Sequence, residues 1–113
     1  MDQKVKLILS LVIPSILFIL ISLPLMRNKI PPNCAYGFRL KKTLANKEIW
    51  YKANQFGGRC IAWAGFISLA GCFWLFLNKE NLSWAMINNM GLGFFVLPLI
   101  GALVLSLGYI KKL

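Results

Sequence analysis

The 113-residue sequence contains no histidine and only three carboxylates, Asp2, Glu48 and Glu80. Without imidazole there is no proton shuttle near neutral pH and no nitrogen ligand for zinc. The carboxylates are so far apart in sequence that no pair suited to general acid–base work is in view. The chain therefore reads as no enzyme, with no cofactor and no metal. Cysteine is scarce too: Cys34, Cys60 and Cys72, without a C-x-x-C pair. On one helix Cys60 and Cys72 would stand about 18 Å apart, too far for a disulfide. They read as single reduced thiols.

Charge is also sparse, at 14% of residues, against 58% hydrophobic residues and a mean hydropathy of +0.67. An ordinary soluble domain is about a quarter charged, and a disordered basic tail lacks apolar residues. Both classes are excluded. What charge there is has one sign: 13 Lys+Arg give a formal net charge of +10. In an apolar chain such an excess points to membrane topology and to a bilayer with anionic head groups, not to nucleic acid.

Three apolar runs follow. Leu7–Met26 offers 20 residues without a charge, enough to cross about 30 Å of hydrocarbon. It is too long for a signal-peptide core and no A-x-A-like site follows, so it reads as a retained span. Pro14 favours a kink, and Pro24 sits near the end where a missing donor costs less. Ile61–Leu77 has 17 residues, with Arg59 placed to snorkel toward head groups. Ala64, Ser68 and Cys72 form a row of small residues at i, i+4 and i+8 that lets another helix approach. Met90–Ile110 has 21 uncharged residues, thinned by Gly91, Gly93, Gly101 and Gly108 and flanked by Trp84, Tyr109, Lys111 and Lys112. The expected fold class is an all-α membrane protein forming a single domain over 1–113. It has three transmembrane helices at about 7–26, 60–77 and 88–110. A short amphipathic helix is expected in the long loop 27–59.

Lys and Arg divide unevenly between the two sides. The loop 27–59 and the C-terminus hold ten of them, against three at Lys4, Lys6 and Lys79. This places the loop and C-terminus in the cytoplasm and the N-terminus outside, although Lys4 and Lys6 count against it.

At 33 residues the loop is too long for a plain connector. Pro31-Pro32 is expected to stop the first helix. Asn33 to Gly37 has turn composition, and Gly37 suits a positive φ. Thr43 or Asn46 can cap a helix whose early Glu48 complements the N-terminal dipole. Ile49, Trp50, Ala53, Phe56 and Cys60 then follow helical spacing, with Lys47, Lys52 and Gln55 on other faces. The simplest role is an interfacial helix with its lysines outward and Trp50 inward; a recognition surface for a protein is the compatible alternative. Gly57-Gly58 reads as a hinge or C-cap before the second span.

The order P-x-N-x-x-Y-G-x-R, T-L-x-N, W-x-x-x-N-x-x-G resembles the signature of the SdpI family of small bacterial membrane proteins. It is carried by Pro31 or Pro32, Asn33, Tyr36, Gly37, Arg39, Thr43, Leu44, Asn46, Trp50, Asn54 and Gly57 or Gly58. Leu40-Lys41-Lys42 departs from the family, where Thr is frequent. The resemblance implies a multi-pass protein of the cell membrane without cofactor. It also implies immunity to a secreted peptide toxin, or relay of the toxin's presence by holding a cytoplasmic regulator at the membrane. The motif residues Pro32, Asn33, Tyr36, Gly37, Arg39, Thr43, Asn46, Trp50, Asn54 and Gly57 become candidates for partner binding. Arg39, a permanent cation with five donors, has two readings: bonds to loop carbonyls or lipid phosphate, or contact with a toxin or soluble partner. Small-residue rows also allow a homo-oligomer.

Two other membrane roles compete. A phage holin has this size and three spans but lacks such a patterned loop. A small multidrug exporter has four spans and a membrane-embedded carboxylate, and these three runs contain no Asp or Glu.

Overall fold

A computed structural model describes residues 3–33, 37 and 40–113. Three long helices dominate it: α1 (Gln3–Met26), α3 (Lys47–Asn78) and α4 (Trp84–Lys112), with a one-turn helix α2 (Lys41–Leu44) in the loop. No strand occurs among the described residues. All three long helices are long and apolar enough to cross a membrane, as expected from the three uncharged runs. Their outward sides expose large apolar residues such as Ile13, Leu20, Phe73, Leu97 and Leu105. Lipid, not water, satisfies such a surface.

The chain runs up, down and up. At one end Lys4 Nζ donates to the Lys79 carbonyl at 3.0 Å, so the N-terminal turn of α1 lies beside the single 3-10 turn Lys79–Asn81. At the other end Lys42 Nζ donates to the Lys111 carbonyl at 3.3 Å, joining the loop to the C-terminus. These are called here the turn end and the loop end.

α3 is the central helix, packing along both α1 and α4, which touch each other less. Its surface toward α1 is built from small residues. A Cβ added at Gly65 would lie 2.6 Å from Ile19 Cγ1 and 3.0 Å from the Ser15 carbonyl oxygen. The expected row Ala64, Ser68 and Cys72 is buried. Ser68 Oγ accepts from Ser15 Oγ at 2.7 Å. Without a hydrophobic effect inside lipid, such close van der Waals approach and interhelical hydrogen bonds hold the bundle. Toward the turn end, Ile8, Leu11, Cys72, Leu75 and Ile87 close a small core.

Two expected boundaries differ. The Pro31-Pro32 pair does not stop α1; the helix ends at Met26. Asn28 takes a left-handed φ of 56°, Lys29 N donates to the Pro24 carbonyl at 3.0 Å, and Asn28 N donates to the Leu25 carbonyl at 3.3 Å. This is a Schellman closure with Asn in the position glycine usually takes. Nor are Gly57 and Gly58 a hinge or cap. The amphipathic stretch is helical, but it forms the first turns of α3, which continues unbroken through both glycines. At Gly58 the missing side chain serves packing: a Cβ there would sit 2.9 Å from Met26 Cγ and 3.0 Å from the Ser22 carbonyl oxygen.

With 32 residues, α3 is about 48 Å long at 1.5 Å per residue, close to the 51 Å long dimension of the whole bundle. Hydrocarbon takes only about 30 Å of that. The surplus turns at the loop end form the platform on which the motif residues assemble.

Candidate functional site

Two motif residues start that platform. Asn46 is the N-cap of α3: its Oδ1 accepts from Glu48 N at 2.8 Å and Ile49 N at 3.4 Å. Of the two candidate caps, it is Asn46 that starts this helix. Glu48 follows in the first turn and pairs with Lys52 at 2.9 Å on the exposed face, a contact of small energetic weight. Thr43 ties off α2 instead. Its hydroxyl accepts from Leu40 N at 2.8 Å and donates to the Leu40 carbonyl at 2.9 Å, and its side chain is fully buried.

Trp50 is the keystone of the loop end. It has no exposed surface, and its Nε1 donates to the Ile30 carbonyl at 2.8 Å. One indole therefore clamps the chain leaving α1 to the first turns of α3, and its single polar atom is satisfied. Asn54, one turn further along, is 1% exposed and donates from Nδ2 to the Trp50 carbonyl at 2.9 Å. Its Oδ1 faces Gly37, which holds a φ of 104°. A Cβ there would lie 2.7 Å from Asn54 Oδ1 and 3.2 Å from the Trp50 ring. Glycine is required twice over, by the left-handed backbone and by the contact. Gly57 is buried on the same helix, three residues beyond Asn54.

The structure thus gathers Gly37, Trp50 and Asn54 into one packed cluster, with Thr43, Asn46 and Gly57 on its supporting elements. Asn33 lies on the segment leading in, where its Nδ2 donates to the Pro31 carbonyl at 2.8 Å, and Pro32 is half-buried beside it. Tyr36 and Arg39, the remaining motif candidates, lie outside the described residues, as does Cys34. A Phe56–Tyr109 ring stack, with centroids 4.3 Å apart, extends the cluster to the end of α4. The apolar phase of Phe56 pointed to a helix face, but no spacing rule pairs it with Tyr109, 53 residues further along the chain.

The motif is therefore a connected arrangement: each of its described polar side chains bonds the backbone of the loop or of α3, and none of the buried side-chain nitrogens or oxygens among the described residues lacks a partner. A sequence model of the SdpI/YfhL protein family matches residues 29–110, which takes in the whole of this cluster and the two spans behind it. The chain belongs to the SdpI/YfhL family. It is a multi-pass membrane protein of that family. No curated protein and no solved structure matches the chain.

The outer surface of the site has a different character. Lys41, Lys42, Lys47 and Lys52 are exposed around the buried cluster, together with the apolar Leu40 and Leu44. The loop of this SdpI/YfhL chain has a packed interior and a basic rim, and no group of three or more potential metal ligands occurs among the described residues.

Proposed function

We propose that this chain is a non-enzymatic immunity protein of the SdpI type, protecting a bacterial cell from a secreted peptide toxin. In this reading the loop end faces the cytoplasm, the N-terminus lies outside, and the basic rim engages a cytoplasmic partner that relays the toxin's presence. The observation that carries the reading is the Trp50–Asn54–Gly37 cluster. A mere connector needs no buried indole, no left-handed glycine and no amide bonded beneath it, whereas a surface that must keep its shape does. The buried motif residues then act as scaffold, and Lys41, Lys42 and Lys47 act as the contact face. Charge complementarity favours an acidic patch on the partner.

The experiment is a killing assay in a toxin-sensitive strain expressing the chain at verified membrane levels. Survival is the expected result, lost in Trp50→Ala. The double substitution Lys41→Glu with Lys42→Glu is expected to keep protection and abolish co-purification of the partner. Unchanged killing overturns the immunity reading. A collapse of membrane potential on expression without toxin overturns it in favour of a holin-like pore. Reporter fusions at both termini test the orientation.

A further inference from the structure

The loop end of the bundle contains a second feature, a crevice between α1 and α3. Arg59, Ala62, Trp63 and Phe66 of α3 and Met26 of α1 enclose a crevice of about 280 Å³. Its walls are apolar apart from the Arg59 guanidinium at its mouth. Arg59, Trp63 and Phe66 stand at i, i+4 and i+7 and are all exposed, so they form one stripe on the outer face of α3.

Depth defines what this crevice meets. Arg59 precedes the uncharged run Ile61–Leu77 by two residues, and Arg27 directly follows the run Leu7–Met26. The two helices touch at this level, where Gly58 meets Met26 and Leu25. Both arginines therefore stand at the boundary between hydrocarbon and head groups, on neighbouring helices, and Arg59 lines the crevice there. Trp63 is 69% exposed, and an outward indole one turn inside an arginine is an interfacial arrangement.

Among the described residues the charge of Arg59 has no counterpart. It makes no hydrogen bond or ion pair with the described residues. The nearest carboxylate on its helix is Glu48, which lies about 16 Å away along the axis at 1.5 Å per residue and is already paired with Lys52. An exposed guanidinium at head-group depth meets lipid phosphates, and its planar fork suits one. Below it, the crevice between Met26, Ala62 and Phe66 offers only apolar atoms, which suit an acyl chain. We propose that Arg59 and the α1–α3 crevice bind one anionic phospholipid, the phosphodiester held by Arg59 and an acyl chain lying against Trp63 and Phe66. This site is separate from the loop cluster and independent of any toxin.

Native mass spectrometry of the full chain, released from nanodiscs of equal phosphatidylglycerol and phosphatidylcholine, tests the proposal. The expected spectrum shows one phosphatidylglycerol retained per protomer in preference to phosphatidylcholine. Arg59→Gln is expected to weaken retention about tenfold or more, the loss that follows from removing one charge-assisted hydrogen-bonded contact. Trp63→Ala, a change at an exposed position, is expected to weaken it severalfold without altering charge. The control, Lys111→Gln with Lys112→Gln, removes two cations elsewhere at the same end and is expected to leave it unchanged. Equal retention of both lipids by the unaltered chain overturns the proposal. So does full retention by Arg59→Gln, or a loss in the Lys111/Lys112 control as large as in Arg59→Gln. Should Arg59→Gln fail to fold, Trp63→Ala against the same control decides, and full retention by Trp63→Ala overturns the proposal.

Discussion

On α3, a Cβ at Gly58 would lie 2.9 Å from Met26 Cγ and one at Gly65 would lie 2.6 Å from Ile19 Cγ1, whereas on α4 one at Gly93, Gly101 or Gly108 would meet nothing within 4 Å. The two helices are alike in length and apolar content, yet glycine is a packing device on one and leaves open space on the other. The cause is position in the bundle. α3 has a neighbour on both sides, so an absent side chain there becomes a helix contact. α4 has one main neighbour, and its outer face looks into lipid. Gly91 shows the rule from within α4, because among these α4 glycines it is the one whose added Cβ would meet a neighbour, Leu11. The difference teaches that α3 carries the architecture, from the serine pair in the span to the motif cluster beyond it.

The comparison is broken most severely by emptying the motif end of α3. Trp50→Ala removes a wholly buried indole and the bond to Ile30, and large-to-small changes of this kind cost about 3–5 kcal/mol. The expected outcome is rapid proteolysis within the loop 27–46 while the three spans remain helical by circular dichroism. Trp63→Ala, thirteen residues along the same helix but 69% exposed, is expected to leave the loop as protease-resistant as before. If both variants are cleaved alike, the clamp does not hold the loop.

Next in size is Gly65→Ala. The added methyl meets an isoleucine side chain and the Ser15 backbone oxygen, so α1 must move away. Overpacking costs about 1–3 kcal/mol, read as a lower midpoint of unfolding in mixed micelles. An unchanged midpoint would show that α1 and α3 are less tightly opposed than the geometry gives.

How much of this was legible beforehand follows the same division. Uncharged length announces a span whatever packs against it, so the three helices could be read directly. The row Ala64, Ser68 and Cys72 could be read from helical spacing, and it is buried as a packing row should be. Gly57-Gly58 misled because a glycine pair carries the same letters whether it ends a helix or admits a neighbour. Only the presence of α1 at Met26 and Ser22 decides. Pro31-Pro32 misled because Asn28, one of the few residues that tolerates a left-handed φ, had already closed the helix. In the site, the motif named Trp50, Asn54 and Gly37 as a set, but the bond to the Ile30 carbonyl spans 20 residues and no local pattern encodes it. The stack of Phe56 on Tyr109 is likewise a product of tertiary placement.

A smaller effect is expected at the serine pair. Ser68→Ala removes one of two acceptors within reach of the single Ser15 hydroxyl proton, which then goes to the Leu11 carbonyl at 2.7 Å. Interhelical hydrogen bonds in membranes average about 0.6 kcal/mol, and the surviving bond holds the loss near that figure. The unfolding midpoint should fall slightly, and by less than in Gly65→Ala. A larger fall would mean that the pair, not the close glycine contacts, fixes the register of α1 against α3.

The smallest effect is the sharpest test of the contrast. Gly101→Ala adds the same single methyl as Gly65→Ala, in a helix of similar hydropathy, at a position where it touches nothing. With no neighbour to displace, only intrinsic helix preference remains, and alanine is favoured over glycine by up to about 1 kcal/mol. The unfolding midpoint of Gly101→Ala should therefore match that of the unaltered chain or exceed it. Identical chemistry would then have opposite signs on the two helices. A clear destabilisation of Gly101→Ala, strongest at high protein-to-lipid ratio, would instead place another helix against α4, for open space beside Gly101 can be open only if lipid fills it.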